Sequence, residues 1–190
     1  MSDMVEIRWH GRGGQGAVTA SELLAETGLH EGKHLQAFPD YGPERMGAPI
    51  RAYTRISNSP IRQHCQVTEP DVVVVLDPTL IGSVDFTQGL KDDGLLVVNT
   101  AAPPAELRRI LDWTKGKVLT VDATHIALDT VGRNFPNIPM LGALLKGIDV
   151  VSKDSIRNEI SNRLGARVSA EMAKANISAF DRAYDETKEG

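Results

Sequence analysis

Cys65 is the only cysteine in 190 residues. An intramolecular disulfide needs two thiols, a structural zinc site usually draws on several Cys or His, and a cubane iron–sulfur cluster typically needs four thiolates. None of these can be built by this chain alone, and no metal-ligand set is assigned. Charge of one sign is also missing. The 21 basic and 25 acidic residues leave a formal net charge of −4. The basic residues are scattered along the chain, so there is no electrostatic footprint for nucleic acid or for an anionic membrane. The opening MSDMVEIRWHGRGG carries acids and turns glycine-rich before any long apolar run develops. Neither a secretory signal nor a membrane anchor is therefore expected, and the cytoplasm is the expected location. No internal repeat, low-complexity tract or linker interrupts the chain, so one domain over residues 1–190 is expected.

Cys65 directly follows His64. Adjacent residues of an extended segment point to opposite faces, so a Cys–His nucleophile pair is not expected and Cys65 reads as a structural thiol.

What the sequence does contain is an alternation of apolar runs and glycine turns. Met4 to Trp9 reads as a strand that runs into Gly11, Gly13, Gly14 and Gly16, and a helix begins at Ala17. Ala17, Ala20, Leu24 and Gly28 share one face of that helix, and Gly32 stops it. A second strand, Lys33 to Phe38, completes the order of a nucleotide-binding βαβ unit. Between Phe38 and the strand Ile50 to Ile56, the eleven residues PDYGPERMGAP cannot hold a crossover helix. Asn58-Ser59-Pro60 marks a turn into an extended piece at Ile61 to Val67, which predicts an antiparallel hairpin. The continuous β-branched run Asp71 to Leu76, with Leu95 to Asn99 and Val118 to Val121, predicts strands buried on both faces with helices between them. Helices are expected at Ser152 to Leu164 and Ala166 to Tyr184. The second should bury a stripe of Val168, Met172, Ala175 and Ala179. The fold class is α/β: a single-domain, Rossmann-like three-layer fold with a mostly parallel, partly mixed sheet.

Two constellations could carry chemistry. Gly11-Arg12-Gly13-Gly14-Gln15-Gly16 fits the dinucleotide pattern in its strand-to-helix context, and Asp40 stands about twenty residues on, roughly where a ribose-binding acid is expected. Asp40 falls, however, between Pro39 and Tyr41 in a segment that reads as irregular. The glycines equally allow close packing of helix on sheet or on a partner chain. The second is the loop around Tyr41, Glu44 and Arg45, where a rigid Pro-Gly framework presents a guanidinium. Its target is an anion or a partner carboxylate on one reading, and a local acid such as Glu44 or Asp40 on the other.

The ordered strings GRGGQGAVTASELLAE, AFPDYGPERMGAPIRAYTRIS, EPDVVVVLDPTL, VVNTAAPP and NIPMLGALL resemble the gamma subunit of pyruvate (or ketoisovalerate) ferredoxin oxidoreductases over nearly the whole chain. The resemblance implies an anaerobic-type assembly that decarboxylates a 2-oxoacid on thiamine diphosphate with Mg2+, passes electrons through iron–sulfur clusters to ferredoxin, and forms acyl-CoA from coenzyme A. It implies alpha-, beta- and delta-type partner subunits that carry those cofactors. The local string Asp92-Asp93-Gly94 with Asn99 lacks the Gly-Asp-Gly start and the spacing of a thiamine diphosphate motif, in keeping with that division. No catalytic residue is assigned here. Gly11 to Gly16, with Arg12 and Gln15, are expected to contact a coenzyme A phosphate or a partner backbone. Tyr41, Glu44 and Arg45 are expected at a subunit interface. GPERMGAP with Arg51 and Arg55 looks closest to the pyruvate type, although Met46 stands where a basic residue is expected. A self-contained NAD- or FAD-binding oxidoreductase is the alternative.

Overall fold

The computed structural model describes residues 4–40, 47–165 and 169–190. In chain order the strands are β1 (Met4–Arg12), β2 (His34–Asp40), β3 (Pro49–Ser57), β4 (Val72–Val75), β5 (Leu95–Asn99), β6 (Lys117–Val121) and β7 (Lys188–Glu189). The helices are α1 (Ala17–His30), α2 (Pro104–Leu111), α3 (Ala123–Val131), α4 (Asn137–Gly147), α5 (Lys153–Gly165) and α6 (Ala170–Glu186). All strands join one sheet in the order β2-β3-β1-β4-β5-β6-β7. β1, β4, β5 and β6 pair in parallel. β3 pairs antiparallel with both β1 and β2, which leaves β2 running the same way as β1. With β7 antiparallel to β6, five of the seven strands among the described residues point one way.

The two faces of the sheet are covered unequally. Ile7, Trp9, Val72, Val74, Leu95, Val97 and Leu119 form one side of a core closed by α1, α3, α4, α5 and α6. On the other face Val73, Val75, Leu96, Val98 and Val118 are covered by Leu80, Phe86 and Leu90 of the 77–94 segment and by Leu107 of α2. The run of four valines in β4 is thus buried on both sides, as a continuous β-branched run requires. α4 lies between the sheet and α6, which is why it is apolar around its whole circumference. A Cβ at Gly142 would collide with the Phe180 carbonyl, so only glycine lets α4 approach α6 this closely.

Four expectations need correction. β3 is inserted between β1 and β2, so β1-α1-β2 does not close as a contiguous βαβ unit. Ile61 to Val67 forms no strand. β3 finds its antiparallel partners upstream in β2 and β1, and of that segment only Val67 is buried. No helix spans β4 to β5; Asp77 caps a single 3-10 turn, Pro78–Leu80, and Gly82 and Gly89 adopt positive φ and turn the chain before a helix can propagate. In α6 the buried face is Ala173, Ala179, Phe180 and Ala183, rotated from the predicted stripe. Met172 is half-buried at its margin, and Val168 lies outside the described residues.

Candidate functional site

The connection after β1 passes to the α1 face of the sheet, whereas the connection after the neighbouring β4 passes to the opposite face. Diverging connections leave a crevice beyond the carboxyl ends of those two strands, the usual ligand position in open α/β sheets. The glycine loop lines one side of this crevice and Asp77-Pro78-Thr79 the other.

The loop is stitched across the gap by side chains. Gln15 donates from Nε2 to Asp77 Oδ2 at 2.6 Å and accepts the Arg12 amide on Oε1 at 2.7 Å. Arg12 Nε lies 3.2 Å from Asp77 Oδ2 and 3.1 Å from Thr79 Oγ1, and its Nη1 donates to the Gly47 carbonyl at 3.1 Å. The Gly13 amide donates to Ala48 O at 3.3 Å. Asp77 is buried, yet its carboxyl sits below the ordinary aspartate range. Burial pushes it up, but hydrogen bonds from the Thr79 hydroxyl and amide and from Gln15, with the charge of Arg12, outweigh that cost. It stays an anion facing Arg12.

The glycines have separate reasons to be there. Gly14 and Gly16 adopt φ of +97° and +81°, which side chains with a Cβ tolerate poorly. A Cβ at Gly16 would also sit 2.7 Å from Asn137 Nδ2 at the start of α4. Gly11 is packed beneath the Gln15 side chain, where a Cβ would be 3.3 Å from Oε1. Gly16 is the N-cap of α1 and offers no side-chain acceptor, so the partial positive charge of the helix start is unneutralised locally. Beyond Asn137 a groove of about 420 Å3 runs between α1, α4 and α6, with Leu23, Phe135, Ile138 and Met172 in its walls.

Asp40 is the last residue of β2 rather than part of an irregular loop. It accepts from Tyr53 Oη at 3.1 Å and pairs with Arg51 Nε at 3.2 Å. With β3 between β2 and β1, Asp40 is two strand spacings, roughly 10 Å, from β1. That removes it from the ribose position of a dinucleotide site and counts against the nicotinamide or flavin reading. Tyr41, Glu44 and Arg45 lie outside the described residues. The residues on either side are described: Asp40 is anchored to β3, and Gly47 and Ala48 to the glycine loop, all at the rim that holds the crevice. Arg55 is part of the core, fully buried against Glu6 and Gln36, while Arg51 is half exposed. His64 and Cys65 are both exposed. Cys65 Sγ is 3.8 Å from Arg55 Nη2, a contact with a structural guanidinium.

Asp77 and Asn137 belong to the site and carry no assignment in the sequence reading. The signal for Asp77 was its place, one residue beyond the buried run that predicts β4. Asn137 had no such signal, because its contact with Gly16 is made only by the tertiary packing of α4.

Among the described residues no helix is long and apolar enough to cross a membrane. The model of the pyruvate ferredoxin/flavodoxin oxidoreductase family matches residues 6–186. The chain is 48% identical over 179 residues, 94% of its length and 97% of the relative's, to the common gamma subunit of pyruvate/ketoisovalerate oxidoreductases of Pyrococcus abyssi. It is 47% identical to the pyruvate synthase subunit PorC of Thermotoga maritima, with 96% of this chain and 94% of that one aligned. The crystal structure of pyruvate oxidoreductase subunit PORC from Thermotoga maritima superposes with a TM-score of 0.88 at 43% identity, covering 100% and 99% of the two chains. The fold also recurs, at 19% identity and a TM-score of 0.77, within a 2-oxoglutarate:ferredoxin oxidoreductase from Magnetococcus marinus; 97% of this chain matches 31% of that larger one.

Proposed function

The chain belongs to the pyruvate ferredoxin/flavodoxin oxidoreductase family as a gamma subunit of a multi-subunit pyruvate oxidoreductase, and from that premise we propose that its glycine loop receives a phosphate of coenzyme A while the rim beside it docks the partner subunits. The assembly carries out coenzyme A-dependent oxidative decarboxylation of pyruvate to acyl-CoA and CO2, with ferredoxin as electron acceptor, in the cytoplasm. Thiamine diphosphate with Mg2+ and the iron–sulfur clusters sit on alpha-, beta- and delta-type subunits. There they supply the decarboxylation and the electron path.

The observation that carries this reading is the position of Arg12. It bridges the crevice between β1 and β4 beside the uncapped start of α1, and its Nη2 has no hydrogen-bond partner among the described residues. An anion entering the crevice meets a guanidinium edge and a helix N-terminus together. The Magnetococcus marinus oxidoreductase, which shares the fold, is a structure with coenzyme A and succinyl-CoA bound, in keeping with the proposal. The part of this site formed by the described residues serves to bind and orient.

The test uses the assembled complex and separates decarboxylation without coenzyme A from acyl-CoA formation. Arg12→Ala is expected to raise the KM for coenzyme A and leave coenzyme A-free decarboxylation intact. Unchanged coenzyme A kinetics in an intact complex would remove the loop from the site. For the rim, Arg45→Ala is expected to weaken assembly, since Arg anchors commonly contribute about 2 kcal/mol at interfaces. A lowered melting temperature of the free chain with normal assembly would instead make Arg45 a local structural residue.

A further inference from the structure

Resting on the assignment of phosphate to the glycine loop, we propose that Asp77 is the positioning residue that aims Arg12 into the crevice. Asp77 is 4% exposed and stands one residue beyond Leu76, at the end of β4 that faces Arg12. Its two oxygens have separate tasks. Oδ1 accepts the Thr79 amide at 2.8 Å and so caps the 3-10 turn. Oδ2 accepts from Gln15 Nε2 and lies 3.2 Å from Arg12 Nε as its ion-pair partner. The Thr79 hydroxyl, oriented by the same turn, receives Arg12 Nε as well. Every described restraint on Arg12 therefore acts through Nε or Nη1, the latter on the Gly47 carbonyl.

A guanidinium is a rigid planar fork, so fixing its Nε edge fixes the direction of the remaining N–H groups. The held edge faces protein, and Nη2 is left for a ligand oxygen. Lysine could not divide these tasks, because one ammonium cannot be oriented by an acid on one edge and present a fork on the other. The Asp77 anion also offsets the positive charge of Arg12 while the crevice is empty. Because it is bound on the Nε side, it does not occupy the position a phosphate would take.

A purely structural Asp77 would only cap the turn, and Asp77→Asn separates the two roles. The amide oxygen can still accept the Thr79 N–H, but the anion that pairs with Arg12 and the acceptor for Gln15 Nε2 are lost. The experiment is a double-mutant cycle in the assembled complex with Asp77→Asn, Arg12→Ala and the pair. It reads the coenzyme A dissociation constant by calorimetry without 2-oxoacid, the KM for coenzyme A, coenzyme A-free decarboxylation, and the melting temperature. Asp77→Asn is expected to weaken coenzyme A binding about tenfold, within the range for directly coupled neighbours, with decarboxylation unchanged. In the Arg12→Ala background the same change is expected to do almost nothing further. Arg12→Lys should resemble Arg12→Ala, since it keeps charge but loses the fork. Equal effects of Asp77→Asn in both backgrounds, or a fall in melting temperature with coenzyme A affinity intact, would overturn the positioning role. If Arg12→Ala itself leaves coenzyme A affinity unchanged, the phosphate assignment fails and the role of Asp77 fails with it. If Arg12→Ala weakens binding and Asp77→Asn does not, only the positioning role is lost.

Discussion

Arg8 donates from Nε to Nε2 of His10 at 3.0 Å, two residues along the same strand and on the same face of the sheet. Arginine can only donate, so Nε2 is the bare nitrogen of a neutral ring and the ring proton sits on Nδ1. The Arg8 guanidinium is fixed in turn by the Phe86 and Gln88 carbonyls, and the Phe86 ring lies 6.2 Å from the imidazole. Burial, then the charges of Arg8 and Arg51, push His10 down to about 3, against a smaller opposing pull from Asp85.

A depressed histidine makes stability depend on acid in a defined direction. The unfolded chain takes up a proton below pH 6.5 that the folded chain refuses until about 3. The His10 contribution is therefore whole above pH 6.5 and is lost at about 1.4 kcal/mol per pH unit as pH falls through that window. Thermal melts at pH 7.5 and pH 5 should show a steeper loss for the wild type than for His10→Gln, whose amide oxygen can still accept from Arg8. Parallel pH profiles of the two proteins would refute this account.

Gly16 and Gly14 should respond differently to alanine. Both pay for a left-handed backbone, about 1–2 kcal/mol each. Only at Gly16 does the new Cβ meet a neighbour, with Asn137 Nδ2 at 2.7 Å and Cγ at 2.9 Å; at Gly14 no described atom lies within 4 Å. Gly16→Ala is expected to lower the melting temperature further than Gly14→Ala. Adding Asn137→Ala to Gly16→Ala should recover part of the loss. Absence of recovery in the double variant would mean that backbone strain alone explains Gly16.

Arg55 is a core residue whose charge is balanced locally. Its side chain is 1% exposed, with Nε 2.7 Å from Glu6 Oε1 and Nη1 3.1 Å from Gln36 Oε1. Removing one member of a buried pair strands the other, so Arg55→Met should cost about 3 kcal/mol or more in urea unfolding. Pairing Arg55→Met with Glu6→Leu should recover much of that loss. An isolated loss below ~1 kcal/mol, the level of a solvated surface pair, would show the pair to be screened.

Much of this architecture was legible from residue pattern. Leu95 to Asn99 has the predicted boundaries, and β4 and β6 lie within a residue or so of theirs, because continuous β-branched runs leave few alternatives to a doubly buried strand. The 77–94 segment misled because α/β alternation argues for a helix there. Its apolar residues, Leu80, Phe86 and Leu90, instead pack on the sheet from turns, without the spacing of a helix face. α4 was not predicted as a helix because Asn137 to Gly147 is apolar on all sides and shows no amphipathic period. At the site, the glycines and Arg12 could be read from the sequence. The partners that give them their geometry, Asp77 and Asn137, are 62 residues beyond Gln15 and on α4 respectively, and only tertiary packing brings them together.

The insertion of β3 between β1 and β2 sets the order of the sheet against the order of the chain. β1 precedes both β3 and β4 in the chain, and these are its sheet neighbours among the described residues. β2 also precedes β3, its sheet partner among the described residues. In the finished sheet β1 and β2 are joined only through residues 49–57, the last of the three strands in the chain. Ile7, Trp9, Leu23 and Leu24 are buried in the core on the α1 side of that sheet. β3 is thus the strand that makes one sheet of β1 and β2, although it follows both in the chain.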